Sequence, residues 1–199
     1  MFWRKKKDLT EILLDRSVEY IKRSQAALDM SVLKNARFLD SLIEALKNDP
    51  EPSVRMNSCF AMGELKMRRS KKPLLRALKE DGSEWVRGFA ASALANLDID
   101  HDEIEAVLIE VLDSDRDEGA RQHFAHSLGV LGSQTAGPVL TSILQNDLSA
   151  KVRADAAEAL GLIGFQDGYD VIAGAAENDI NGDVRRQSLI AKRKLDLDR

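Results

Sequence analysis

The chain has 199 residues, of which 31% are charged and only 5% aromatic, and its net charge at pH 7 is −4. That length suits one domain of ordinary size, and the shortage of rings points to a core of Leu, Ala, Val and Ile packed between helices. The single cysteine, Cys59, excludes an internal disulfide and a zinc site built on cysteine pairs, and suits a reducing compartment.

The first eight residues, MFWRKKKD, begin like a secretory signal, but no apolar stretch follows the lysines. No run anywhere approaches the ~18 apolar residues that a membrane-spanning helix needs. A cytoplasmic protein with no membrane span is expected. Residues 8–32 read as one helix, with Leu9, Leu13, Tyr20, Ile21 and Leu28 among its apolar positions. Residues 1–35 are therefore expected to form a basic segment and a helix that caps the open apolar side of the element after it.

From residue 36 onward the chain repeats itself. Val54-Arg55, Val86-Arg87, Ala120-Arg121, Val152-Arg153 and Val184-Arg185 follow one another at steps of 32, 34, 32 and 32 residues. Four of the five lead into a small-residue stretch and a close: CFAMGEL, AASALANL, FAHSLGVLG and AAEALGLIG. The fifth, SLIAKRKL, keeps the apolar spacing and loses the Gly. Self-similarity at this period marks a stack of supersecondary units. The first helix of each unit is expected at about 36–48, 72–80, 103–112, 136–146 and 168–177. The second is expected at about 52–65, 84–96, 117–131, 149–163 and 182–195. The fold class expected is all-α: a right-handed α-solenoid of about five helix pairs over residues 36–199, behind the N-terminal helical cap.

An aspartate stands six residues before each arginine: Asp49, Asp81, Asp115, Asp147 and Asp179 precede Arg55, Arg87, Arg121, Arg153 and Arg185. Each Asp falls in the turn that opens a second helix, where a short side chain can accept unpaired backbone N–H groups. Each Arg lies one turn into that helix, and its fork of donors can reach a turn Asp of its own repeat or of the next. A structural ladder accounts for the pairs better than five phosphate-binding arginines, because every Arg brings its own carboxylate.

The turn Asp, the Val-Arg and the Ala-rich, Leu-Gly second helix resemble HEAT repeats, most of all the short kind found in phycobilisome-lyase-type HEAT proteins. The resemblance covers residues 36–199 and implies second helices that line a concave surface. Helical periodicity then places Met56, Asn57, Phe60 and Glu64 of the first repeat on that surface, and Phe89, Ser92 and Asn96 of the second. The third supplies Gln122, His123, His126 and Val130. The fourth supplies Asp155, Glu158 and Leu162, and the fifth Arg186, Gln187, Ile190 and Lys194. Partner contacts are expected chiefly at Met56, Phe60, Phe89, His123, His126, Asp155, Glu158, Arg186 and Ile190. Trp85 replaces the small or polar residues of the other repeats and is a candidate exposed contact or a local packing plug.

His123 and His126 stand three apart on one helix, and Asp155 and Glu158 three apart on the next, at matching positions. Two imidazoles and two carboxylates are a possible divalent-metal set. HEAT-repeat hydroxylases of the deoxyhypusine type hold metal on the same helices, but through adjacent His-Glu dyads, which this chain lacks. A hydrogen-bonded surface facing a partner is the reading preferred, with no metal and no cofactor. No Ser/His/Asp elbow, Cys-His neighbour or Gly-rich phosphate loop occurs.

Charge is uneven. Residues 1–72 hold 16 Lys and Arg against 10 Asp and Glu, and residues 73–199 hold 13 against 23. Two basic clusters stand out, Arg4-Lys5-Lys6-Lys7 and Lys66, Arg68, Arg69, Lys71, Lys72, with an acidic stretch from Asp98 to Glu118. Such asymmetry steers partners. The second cluster reads as a solvated loop or a contact for phosphate or an acidic protein. A mixed, partly acidic concave face speaks against nucleic acid. The expectation is a non-catalytic scaffold that binds another protein through its concave surface and charged ends. Two alternatives stand beside it. One is a bilin-lyase-associated or chaperone-like factor, which the resemblance implies. The other is a metal-dependent enzyme using His123, His126, Asp155 and Glu158.

Overall fold

The computed structural model of the chain describes residues 8–99 and 101–197, so the basic run Arg4-Lys5-Lys6-Lys7 lies outside the described residues. Every regular element among the described residues is helical, and no helix among them is long and apolar enough to cross a membrane. The chain falls into two compact units, the first ending at Ile99. The first unit holds α1 (Leu9–Leu14), α2 (Tyr20–Leu33), α3 (Leu39–Asn48), α4 (Pro52–Leu65), α5 (Lys71–Glu80) and α6 (Glu84–Ala95). The second holds α7 (Asp102–Ser114), α8 (Glu118–Leu131), α9 (Gly137–Asn146), α10 (Ala150–Ile163), α11 (Tyr169–Asn178) and α12 (Gly182–Leu197).

Each unit consists of three consecutive helix pairs, the all-α solenoid pattern. The two helices of a pair pack on each other, and the second helices pack side by side in a row: α2, α4, α6 in one unit and α8, α10, α12 in the other. The first helices form a looser row, touching at far fewer places.

Side-chain size explains the difference between the rows. Val54, Val86, Ala120, Val152 and Val184, in the first turns of the second helices, are wholly buried. One face of each of those helices then narrows to Ala and Gly. A Cβ placed on Gly63 would sit 2.9 Å from the Ala93 Cα, one on Gly129 2.9 Å from the Ala159 Cα, and one on Gly161 2.8 Å from the Ala191 Cα. Those are backbone-to-helix contacts that only glycine permits, so the Leu-Gly close is a packing device between neighbouring second helices. The same helices end in a left-handed residue, Gly132 and Gly164 in the second unit. In the first unit Lys34 and Lys66 take that conformation, at φ 46° and 50°, at a cost of about 1 kcal/mol each.

The N-terminal segment differs from the single helix expected over 8–32. It is two helices, α1 and α2, broken where the Asp15 carboxylate accepts the backbone N–H and the hydroxyl of Ser17, 2.9 and 2.6 Å away. A short acidic side chain that bonds its own backbone two residues on competes with helix. The result is a further helix pair in front of the first Val-Arg repeat. Cys59 is fully buried in α4, and that burial pushes its thiol far above the ordinary value, leaving it unreactive.

Candidate functional site

The repeated arginines are turned inward on carboxylates. In the first unit Arg55 Nε and Nη2 donate to Asp81, 2.8 and 2.9 Å away, while Nη1 donates to the Asp49 carbonyl at 2.9 Å. The second unit repeats this geometry. Arg121 grips Asp147 at 2.8 and 2.9 Å and the Asp115 carbonyl at 3.0 Å. Arg153 grips Asp179 at 2.9 Å through both nitrogens and the Asp147 carbonyl at 2.9 Å. The side chain thus ties its own turn to that of the following pair. Each Asp also accepts the N–H two residues on, from Glu51, Ser83, Asp117, Ser149 and Asn181, where the second helix begins. Arg87 reaches the Asp81 carbonyl at 3.0 Å, and Arg185, on the last helix, the Asp179 carbonyl at 2.7 Å.

One rung was not foreseen. Arg23 on α2 holds Asp49 through Nε and Nη2, both at 2.9 Å, with Arg16 on the same carboxylate. Arg23 stands 32 residues before Arg55 and 26 before Asp49, the spacing of the Arg55–Asp81, Arg121–Asp147 and Arg153–Asp179 pairs. That step was the available signal. It was masked because Lys22 replaces the Val and Asp15 lies eight residues back, not six.

These contacts set the response to acid. Burial raises Asp49, but hydrogen bonds from Arg23 and the Glu51 N–H and the charges of Arg16 and Arg23 outweigh it, so the carboxyl ends below its ordinary value. Asp179 is lowered chiefly by its bond from Arg153. A carboxyl depressed on folding contributes stability that is present above its unfolded pKa and lost as pH falls through the folded one. His123 is also lowered, first by burial and then by His126, so its contribution is lost as pH falls below about 6.5. Asp155 is raised, first by burial, and works the opposite way. Urea titrations from pH 7.5 to 3 should therefore show two losses, one below about 6.5 and a larger one below about 4. Asp179→Asn should shrink the second loss and spare the first; an unchanged low-pH loss contradicts the assignment.

The residues expected on the binding surface separate into several environments. In the first unit Phe60 is 40% exposed, while Met56 and Phe89 are half-buried. Asn57 is a correction: it is buried and donates to the Ser24 hydroxyl at 2.7 Å, because α2 packs over it. Glu64 takes Lys34 at 2.9 Å. Trp85 is exposed on the first turn of α6.

In the second unit Gln122 donates to Asp155 at 2.9 Å, linking α8 to α10. His123, Asp155 and Glu158 are half-buried and His126 is exposed. Among the described residues no group of three or more His, Cys, Asp or Glu is gathered to hold a metal ion. The matching register sets the imidazoles and carboxylates on neighbouring helices, yet an amide occupies Asp155. Leu162 lies over α8, its Cδ1 3.2 Å from where a Gly129 Cβ would be, beside Val130. Val130, Leu162 and Ile190 are each about half exposed, one per successive second helix. Arg186 leans back to Asp183 at 3.3 Å. Leu148 and Ile180, almost wholly exposed in the turns, were not singled out from the sequence.

A family model described as HEAT repeats matches residues 39–129 and again 72–161. No curated protein matches. Among solved structures the chain is similar to the complex of CpcE and CpcF of phycocyanin lyase from Nostoc sp. PCC7120, at 21% identity and a TM-score of 0.67, covering 91% of this chain and 73% of that one. It is similar to Kap121p at 18% identity and a TM-score of 0.74, covering 94% of this chain but 23% of that one. It is similar to human deoxyhypusine hydroxylase in complex with glycerol at 21% identity and a TM-score of 0.56, covering 95% and 73%. At these identities the likeness is one of fold.

Proposed function

Because the chain belongs to the HEAT-repeat family, we propose that it is a non-catalytic interaction module that holds a partner protein on the open face of its second helices. The observation that carries this reading is the apolar row of the second unit. Val130 and Leu162, at equivalent repeat positions on α8 and α10, and Ile190, one turn earlier in the repeat on α12, stand out to solvent, with His126 also exposed on α8. Scattered exposed apolar residues are ordinary, but one per repeat on a shared face makes a patch, and such patches rimmed by polar groups favour protein contacts. In the first unit Phe60, exposed one turn after the half-buried Met56 on α4, offers the corresponding face. Arg23, Arg55, Arg121 and Arg153 add no anion site, since carboxylates already neutralise them. Among the described residues the His/carboxylate set is not gathered as a group of metal ligands.

The combined variant Val130→Ser, Leu162→Ser, Ile190→Ser tests the reading. Each change is expected to cost about 1 kcal/mol, since about half of each side chain is buried, and together they should abolish retention of a partner that the wild-type protein holds from native extract. Equal retention by the two proteins contradicts the assignment of the face. The lyase-type likeness gives a separate outcome: a new visible absorbance band on mixing with free bilin favours a pigment-handling role, and the interaction reading expects none.

A further inference from the structure

The loose row of first helices leaves grooves, and two of them can be compared residue by residue. In the first unit a groove of about 410 Å³ opens between α3 and α5. In the second a groove of about 580 Å³ opens between α9 and α11. The two occupy the same place in the repeat, 98 residues apart. Leu46 corresponds to Leu144, Ala77 to Ala175 and Asp81 to Asp179. A groove there is thus a product of the repeat architecture and says nothing by itself about a ligand.

The side chains around it do differ. Lys47, Lys72 and Arg76 line the first groove, where the second has Gln145, Asp170 and Gly174. All three cations are exposed, and among the described residues no ion pair holds Lys47 or Lys72. Arg76 pairs with Glu80 one turn on, at 2.9 Å, but both are well exposed and such a pair is worth little. Ile43, Leu46, Pro73 and Ala77 give the groove an apolar floor. Arg68 and Arg69 lie in the turn that leads into α5, and Arg69 is taken by Asp40 at 2.7 Å. One position in the fold therefore carries three cations and Glu80 in one unit, where the other has no cation and Asn178, with identical leucine, alanine and aspartate markers around both.

From this juxtaposition we infer that the α3–α5 groove is a second docking surface, distinct from the second-helix face, for an acidic amphipathic segment of a partner protein. The segment sets apolar side chains on Ile43, Leu46, Pro73 and Ala77 and carboxylates against Lys47, Lys72 and Arg76. The charge complementarity selects the occupant, while the apolar floor fixes where it lies. Contacts of exposed charges act mainly on encounter and specificity, and they weaken with salt.

The test uses three fluorescein-labelled peptides of about twelve residues on the full chain, read by fluorescence anisotropy. One alternates Glu with Leu at helical spacing, one replaces Leu by Ser, and one replaces Glu by Lys. The Glu/Leu peptide is expected to bind at least about tenfold more tightly than either of the others, and more weakly at high salt. The variant Lys47→Gln, Lys72→Asp, Arg76→Gln, which brings in the character of the second groove, should lose that advantage with an unchanged melting temperature. The reciprocal variant Gln145→Lys, Asp170→Lys, Gly174→Arg should create a second site. The proposal is overturned by equal binding of the Glu/Leu and Lys/Leu peptides, by equal binding of the Glu/Ser peptide, by undiminished binding to the first variant, or by no binding of any peptide. Self-association in sedimentation equilibrium that disappears in the first variant overturns the acidic segment as occupant, replacing it with a second copy of this chain. Loss of the second-helix partner leaves all these outcomes untouched.

Discussion

Asp49→Ala is expected to lower the unfolding free energy by about 3–5 kcal/mol, because it leaves a buried arginine without its partner. The Asp49 side chain is fully enclosed and that of Arg23 is 5% exposed. Besides Arg23, the carboxylate accepts Arg16 and the Glu51 N–H. Removing it strands a guanidinium in a place that water does not reach and frees the turn that starts α4. Domains of this kind are stable by only about 5–15 kcal/mol, so a substantial part of the first unit's stability is at stake. Asp49→Asn keeps the shape and loses the charge, and should fall between Asp49→Ala and the wild type. Arg116→Ala, at an exposed position outside the repeat pattern, should change the urea midpoint very little. Equal midpoints for Asp49→Ala and Arg116→Ala contradict a structural role for the pair.

The same substitution at two glycines should have effects of opposite sign. Gly161→Ala puts a methyl group 2.8 Å from both Cα and Cβ of Ala191, where α10 and α12 meet. Neither helix can yield without disturbing the buried residues beneath, and overpacking of this sort costs about 1–3 kcal/mol. Gly174 lies within α11 with nothing within 4 Å of a Cβ built on it. Gly174→Ala should stabilise by about 0.4–1 kcal/mol, since alanine restricts the unfolded chain and favours helix. Thermal or urea unfolding of the two variants side by side reads the difference. If both changes stabilise, the second helices are not in the close contact described, and the Leu-Gly close needs another cause.

The helices were legible wherever the 32-residue step kept its marks. The expected second helix at 52–65 coincides with α4, and the others differ by one or two residues. A repeated sequence supplies five readings of the same boundary, which suppresses the local ambiguity of any one. The N-terminal pair was not legible because its marks are displaced: two extra residues between Asp15 and Arg23 hide a rung that the 32-residue step otherwise predicts. Asn57 was misplaced because helical periodicity assigns a face but not what covers it, and α2 lies over that flank. The chemistry at His123, His126, Asp155 and Glu158 was legible as a register and not as a site. Whether four side chains converge depends on their rotamers and on Gln122, which period alone does not fix. The grooves between first helices left no sequence trace, since a gap has no residues of its own. Only comparison of Lys47, Lys72 and Arg76 with Gln145, Asp170 and Gly174 shows that one of them is lined by cations.

The central claim is that the recurring Val-Arg and Asp form a packing device and not five copies of a chemical site. A double-mutant cycle on Arg153 and Asp179 tests it most directly, because both are only 11% exposed and they meet through two bonds of 2.9 Å. Unfolding free energies of the wild type, Arg153→Ala, Asp179→Ala and the double variant yield the coupling between the two side chains. The account predicts a coupling of about 1.5–3 kcal/mol, the range for hydrogen bonds to charged groups. Additivity to within about 0.5 kcal/mol contradicts it.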